Sequence, residues 1–375
     1  MIKNQQNLYR CVDKPLNKRK NCKNPDLRPA LTPNFVHMTT DLRSDTVTKP
    51  SPGMLSAMFS APVGDDVFGE DPSINQLESM AAALFDMQSA IFCPSGTMTN
   101  QIAIKCHTQP GDEVICDNLS HVYQYEGGGI AFNSGCQVKL IEGNRGRITA
   151  EQVAENINSH ADYKAATSLV SLENTTNRGG GACYHFTDIV SIREVCSKNN
   201  LSLHLDGARL FNALVEKNET PKQYGEIFDS ISICLSKGLG TPVGSLLLGS
   251  KDFIKKARRV RKVFGGGMRQ AGYLAAAGMY ALEHNVPRLA DDHKHARQFA
   301  EALLEKPFIC KMMPVETNIL IFEVTQPYTP VSFAEELAKN QVFVMPISTT
   351  QVRMVTHLDI SSEMVQRLIA LINQL

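Results

Sequence analysis

Between residues 89 and 250, short apolar runs rich in β-branched residues alternate with amphipathic stretches of helix length. That alternation specifies a mostly parallel sheet with crossover helices, because parallel neighbours need a long connection and a helix supplies it. Strands are expected at 90–93, 113–116, 138–141, 168–172, 202–205, 231–235 and 245–248. Thr149 with Gln152 has capping-box spacing and opens one intervening helix, and Thr187 opens another. Helices follow at 251–262 and 269–283, separated by Phe264-Gly265-Gly266-Gly267, with Pro287 starting a further one. Beyond about residue 306, strands at 318–322, 342–345 and 352–355 and helices at 333–339 and 364–375 make a compact α/β tail.

The expected organisation is therefore a large α/β domain over residues 38–285, to whose site residues 38–60 contribute, and a small α/β domain over 286–375. Residues 1–37 are basic, rich in Asn and Pro and without periodic apolar positions, so a disordered tail is expected there. Lys plus Arg and Asp plus Glu are 38 each. No net field then favours nucleic acid or an anionic membrane, and a small neutral or zwitterionic partner fits better. The ten cysteines form no Cys-x-x-Cys pair and most lie in apolar runs, as in reduced cytoplasmic proteins. No apolar stretch approaches the roughly 18–20 residues of a membrane span, and the N-terminus lacks a signal-peptide core.

Three local patterns carry chemistry. The run Ile231 to Leu235 ends in Ser236-Lys237-Gly238-Leu239-Gly240, and a lysine leaving an apolar strand can form a Schiff base with a carbonyl. Leu203-His204-Leu205 ends in Asp206-Gly207-Ala208-Arg209, which puts a carboxylate where open α/β sheets bind ligands. Such a carboxylate can keep a pyridine nitrogen protonated. Cys93-Pro94-Ser95-Gly96-Thr97 turns from a strand into a helix through small residues able to cradle a phosphate. Viewed singly, Lys237 reads as a surface lysine, Asp206 equally as a helix cap, and the turn as a plain N-cap. Neither the dinucleotide nor the P-loop glycine pattern occurs, and no histidine pair has spacing for zinc, so no metal is expected. His293 and His295 read as surface residues, as do Lys255, Lys256 and Arg258.

In combination these patterns resemble the fold type I pyridoxal-phosphate enzymes. Together with Leu42 to Thr48, Pro62 to Gly69, Ser171-Leu172-Glu173-Asn174-Thr175, Gly265 to Gln270 and Val355 to Asp359, they resemble the low-specificity L-threonine aldolases over residues 39–375. The resemblance implies an aminotransferase-like fold and pyridoxal 5'-phosphate carried by Lys237. It implies that Asp206 pairs with the ring nitrogen, that Gly96 and Thr97 bind the phosphate, and that His121 stacks on the ring. Arg209 then lies by the cofactor and the substrate, and Ser44 and Arg353 hold the substrate carboxylate. An arginine fork suits that task.

Tyr125 and Glu126 are expected on the substrate side. Lys262 and Arg269 resemble residues that complete a neighbouring subunit's site, implying a homotetramer, a dimer of dimers with sites shared across the dimer interface. The family often has His where this chain has Thr176, which bears on aldehyde preference. The activity implied is cleavage of β-hydroxy-α-amino acids to glycine and an aldehyde, in cytoplasm. Its rivals are β-elimination on the same cofactor and a catalytically silent binding protein of the same fold.

Overall fold

The computed structural model describes residues 39–375; the tail expected over 1–37 lies outside them. The described chain opens with a two-residue strand, β1 (Thr40–Asp41). All seven apolar runs between 89 and 250 are strands of one sheet: β2 (Ser89–Cys93), β3 (Glu113–Asp117), β4 (Gln137–Ile141), β5 (Thr167–Glu173), β6 (Ser202–Gly207), β7 (Ser230–Cys234) and β8 (Ser245–Gly249). Their order is β2-β8-β7-β6-β5-β3-β4. Pairing is parallel from β4 through β3, β5 and β6 to β7. Only β8 is reversed, running against both β7 and β2. Because β2 and β7 both oppose β8, they share one direction, and the carboxyl ends of β2, β3, β5, β6 and β7 meet at one edge.

The sheet is covered on both faces. Phe92, Leu246 and Leu248 pack with Ile74, Leu77, Ile189 and Ala275 in the larger core. Ile91, Cys93 and Leu247 pack on the other side with Ile102, Ala103, Ile254 and Ala257. Burial on both faces explains why these strands read as continuous apolar runs. Full burial of each large side chain stabilises by about 1.5–3 kcal/mol.

A second, antiparallel sheet contains β9 (Ile309–Met312) and β10 (Ile319–Val324), and β11 (Val342–Phe343) pairs separately with β1. With β12 (Met345–Pro346) and β13 (Gln351–Val355), the second sheet runs β12-β13-β10-β9. Its core joins Leu320, Phe322, Val352 and Met354 to Phe299, Phe333 and Leu368, and it takes in Leu42 from the far end of the described chain.

Several expectations need correcting. The helix expected from Thr187 is Phe186–Lys198, with His185 at its cap. The two expected to begin at Arg269 and Pro287 are Gly272–His284 and Leu289–Leu304. His293 and His295 are buried, not on the surface. Leu289–Leu304 packs along Leu210–Lys217, where His293 Nε2 meets Asn212 Oδ1 at 3.0 Å and His293 Nδ1 meets Glu216 at 3.2 Å. Burial, against the pull of Glu216, lowers His293 to about 4. Lys255 and Lys256 are exposed and the Arg258 side chain is about 41% exposed, as read from the sequence, although Lys256 Nζ reaches the Cys106 carbonyl at 2.5 Å and Arg258 pairs with Glu78. Eight free cysteines fall among the described residues, seven buried and Cys310 exposed.

Candidate active site

The shared carboxyl edge gathers the residues singled out from sequence. Strand β2 runs into the turn before helix Gly96–His107, where Ser95 caps the helix by accepting from Met98 N at 3.2 Å. A twelve-residue helix presents unpaired N–H groups and a positive dipole end there, which suits an anion. A Cβ added at Gly96 would collide with Cys234 Sγ, so only glycine lets the turn lie this close to β7. Strand β7 leads through Leu235 and Ser236 to Lys237, whose carbonyl accepts from Thr48 Oγ1 at 3.0 Å and Gly240 N at 2.8 Å. Among the described residues, no acceptor reaches the Lys237 ammonium.

Two cavities meet at this edge. The first is lined by Ser95, Gly96, Thr97, Asn100, Asp206 and Ser236, among others, and the second by Ser44, Tyr125, Asn177, Arg178, Arg209 and Arg353. Thr46, His121 and Lys237 border both. Met345 and Ile347 give the second cavity an apolar flank.

Asp206 closes β6 and is buried. Its carboxylate accepts from Ala208 N at 3.1 Å and from Asn100 Nδ2 at 2.9 Å. His121 follows β3, and its backbone N–H donates to Glu173 at 2.8 Å while Nδ1 meets Glu126 Oε1 at 2.9 Å. Burial disfavours the charged imidazole, but Glu126 and Asp206 outweigh it and raise its pKa. Glu126, expected on the substrate side, instead lies buried behind His121, taking hydrogen bonds from Asn100 at 2.9 Å and Gln101 at 2.7 Å.

In the second cavity Arg209 is already neutralised, its Nε and Nη2 gripping Asp45 at 2.6 and 2.7 Å. Burial would raise the Asp45 carboxyl, but Arg209 overrides it and holds it at about 2. Arg353, on β13, bonds only neutral acceptors, Asn177 Oδ1 and the Arg43 carbonyl, both at 3.0 Å, with the Met345 sulfur at 3.6 Å. Its Nε is buried without a partner. Burial, then the charge of Arg209, lowers Arg353 to about 10. This is a guanidinium with donors to spare and no carboxylate of its own.

Thr176 does not enter either cavity. It is buried with its hydroxyl on the Arg145 carbonyl at 2.8 Å and its side chain against Gly146 and Gly179. Lys262 and Arg269 border neither cavity within one chain. Arg269 is exposed, paired with Asp65 at 2.8 Å and lying over the Phe68 ring. Asp45, Asn100, Asn177 and Arg178 are site residues that sequence reasoning missed.

A family model for beta-eliminating lyases matches residues 41–327. A low specificity L-threonine aldolase of Escherichia coli is 45% identical over 324 residues, covering 86% of this chain and 95% of the bacterial one. The chain belongs to the low-specificity L-threonine aldolases. Among solved structures, a Leishmania major threonine aldolase superposes with a TM-score of 0.78 at 22% identity, covering 89% of this chain and 99% of that one. An SPT solved with PLP has a TM-score of 0.70 at 15% identity, covering 90% and 87%. The fold is that of the fold type I enzymes.

Proposed function

We propose that the chain cleaves L-threonine, L-allo-threonine and related β-hydroxy-α-amino acids reversibly to glycine and an aldehyde, using pyridoxal 5'-phosphate. The observation that carries this reading is the shared wall of Lys237 and His121 between a cavity ending in the Gly96 turn and one faced by the spare donors of Arg353.

The residues fit the cofactor. The turn that only glycine permits suits the phosphate, with the Thr97 hydroxyl beside it, and Asp206 suits the ring nitrogen. When bound, the cofactor supplies a carbonyl for an amine and a conjugated ring that accepts an electron pair. Lys237 would hold it covalently through its side-chain amine. Asp206 would keep the ring nitrogen protonated. Arg353 with Ser44 grips the substrate carboxylate, which orients the bond between the α and β carbons for cleavage. His121, directly or through a water, takes the proton of the β-hydroxyl as that bond breaks, and the α carbon regains a proton to leave glycine. Arg209, fixed by Asp45, lines the wall between substrate and cofactor, and Tyr125 borders the opening.

Lys262 and Arg269 complete the site of a neighbouring subunit in a homotetramer built as a dimer of dimers. Exposed Phe68, Phe59, Phe132 and Val263 support a buried interface on this molecule. A cytoplasmic setting is supported by the free, mostly buried cysteines. No helix among the described residues is long and apolar enough to cross a membrane.

The match to the beta-eliminating lyase model favours one second reading, β-elimination from a substituted alanine, which would use the same Lys237 and Asp206. Product analysis with L-threonine, L-allo-threonine and phenylserine decides between them. Glycine plus aldehyde supports the proposal; pyruvate plus ammonia from a substituted alanine, with no glycine from any of the three, overturns it.

A further inference from the structure

A chain of hydrogen bonds runs through the sheet toward the carboxylates beneath His121. His107 Nε2 meets Ser230 Oγ at 2.8 Å, Ser230 Oγ meets His204 Nδ1 at 2.8 Å, and His204 Nε2 meets Asn100 Oδ1 at 3.2 Å. Asn100 Nδ2 then donates to Asp206 Oδ2 and to Glu126 Oε1, both at 2.9 Å. Asn100, His204 and Ser230 are buried, and His204 and Ser230 are register partners on β6 and β7. None of these three bears on the reaction in the account above.

Donor and acceptor counting fixes every proton in this chain. Two carboxylate oxygens can only accept, so both hydrogens of the Asn100 amide point at them and its oxygen faces His204. His204 must therefore donate from Nε2, which leaves Nδ1 as an acceptor. Ser230 fills that acceptor with its hydroxyl hydrogen, so its oxygen accepts from His107 Nε2. The chain is directed from His107 to the carboxylates, and it requires the His204 imidazole to be neutral. Burial, opposed by Asp206, lowers His204 to about 4, and burial lowers His107 to about 3. A protonated His204 would present a donor to Ser230 and break the order.

We propose that His204 is a positioning residue, which locks the Asn100 amide so that one side chain holds Asp206 for the cofactor ring and Glu126 for His121 at once. Without the His204 donor the amide can rotate by half a turn and direct its oxygen at two carboxylates, which repels both. The inference rests on Asp206 serving the cofactor ring. Isostere choice separates positioning from bulk, because glutamine mimics the Nε2 end of histidine and asparagine the Nδ1 end. His204→Gln keeps the donor to Asn100, whereas His204→Asn keeps only the Ser230 side.

The test uses the full chain. Nitrogen-15 NMR of histidine-labelled, cofactor-free protein at neutral pH should show His204 as the neutral Nε2–H tautomer. In the loaded enzyme His204→Asn should lower kcat about 10- to 100-fold, as loss of an outer-sphere partner does at metal sites, with KM for L-allo-threonine little changed. It should also weaken pyridoxal phosphate binding to the cofactor-free protein. His204→Gln should keep most of the turnover and cofactor affinity that His204→Asn loses. An Nδ1–H tautomer or an imidazolium at His204 would overturn the proposal. So would a His204→Asn protein with a lower melting temperature and unchanged kcat, or equal losses in both variants. Asp206→Asn with parental turnover and cofactor affinity would instead withdraw Asp206 from the reaction, a failure of the underlying reading that leaves the tautomer result standing.

Discussion

Glu173 and Asp206 are register partners at the ends of β5 and β6, two buried carboxyl groups on adjacent parallel strands. Burial first, and then the charge of Asp206, pushes Glu173 up to about 7, against the backbone donors Asn177 N and His121 N. A carboxyl whose folded pKa lies above its unfolded value of 4.5 favours folding fully below that value, and the contribution is lost as pH rises through about 7. In cofactor-free protein, urea midpoints of the parent should therefore fall relative to Glu173→Gln across that window. Parallel profiles would show that Glu173 titrates as an ordinary carboxyl.

Lys237→Ala should abolish turnover and the visible absorbance of the loaded protein. Borohydride reduction followed by peptide mapping checks the assignment. The tag should sit on Lys237 in the parent, and a tag on any other lysine in the variant would move the attachment point.

Arg353→Ala removes a guanidinium whose partners here are neutral. Hydrogen bonds to a charged group are worth about 1.5–3 kcal/mol, so KM for amino acids should rise roughly 10- to 150-fold. Pyridoxal phosphate affinity, read by titrating the cofactor-free protein, should change far less. Matching losses would place Arg353 on the cofactor instead.

Gly96→Ala should weaken pyridoxal phosphate binding, because its Cβ collides with Cys234 Sγ. Cys234→Ala removes the obstructing sulfur, so the double variant should recover much of the affinity, a coupling expected of residues in contact. Additive losses in the binding titration would mean that the collision is not the cause.

Subunit mixing tests the shared site. Lys237→Ala and Arg269→Ala chains, dissociated and reassociated, form hybrid dimers in about half of cases, and roughly a quarter of all sites regain parental composition. Aldehyde release should rise above both parents once exchange is verified by a tag. Verified exchange with no rise, from an impaired Arg269→Ala parent, would confine Arg269 to its own chain.

Six of the seven strands were legible because burial makes them apolar on both faces, while β4 at the sheet's edge keeps Gln137 and Leu140 exposed, and the edge residues Lys237, Asp206 and His121 were legible because strands end where polarity returns. The small strand β9 was not: Ile309-Cys310-Lys311-Met312 pairs only with β10 at the sheet's margin, and its pattern is too short and mixed to stand out. Asn100 and Glu126 were invisible as a pair, since a polar residue in a helix or in the turn after one looks solvated until a fold buries it. Thr176 misled for a related reason. Its neighbours in sequence belong to the site, but its own hydroxyl is taken by the Arg145 carbonyl.

The segment from Thr40 to Thr48 is stitched at both ends. It adds β1 to β11 and Leu42 to the smaller core, then ties Asp45 to Arg209 and Thr48 to the Lys237 carbonyl. It thus acts as a tie rod nine residues long between the sheet that carries Arg353 and the strand end that carries Lys237. A load applied to the smaller sheet reaches the lysine through this rod as well as through the packed body. Swapping the smaller sheet for one from a relative would therefore have to bring the matching rod with it, or the grip on the substrate carboxylate and the position of the lysine would fall out of alignment.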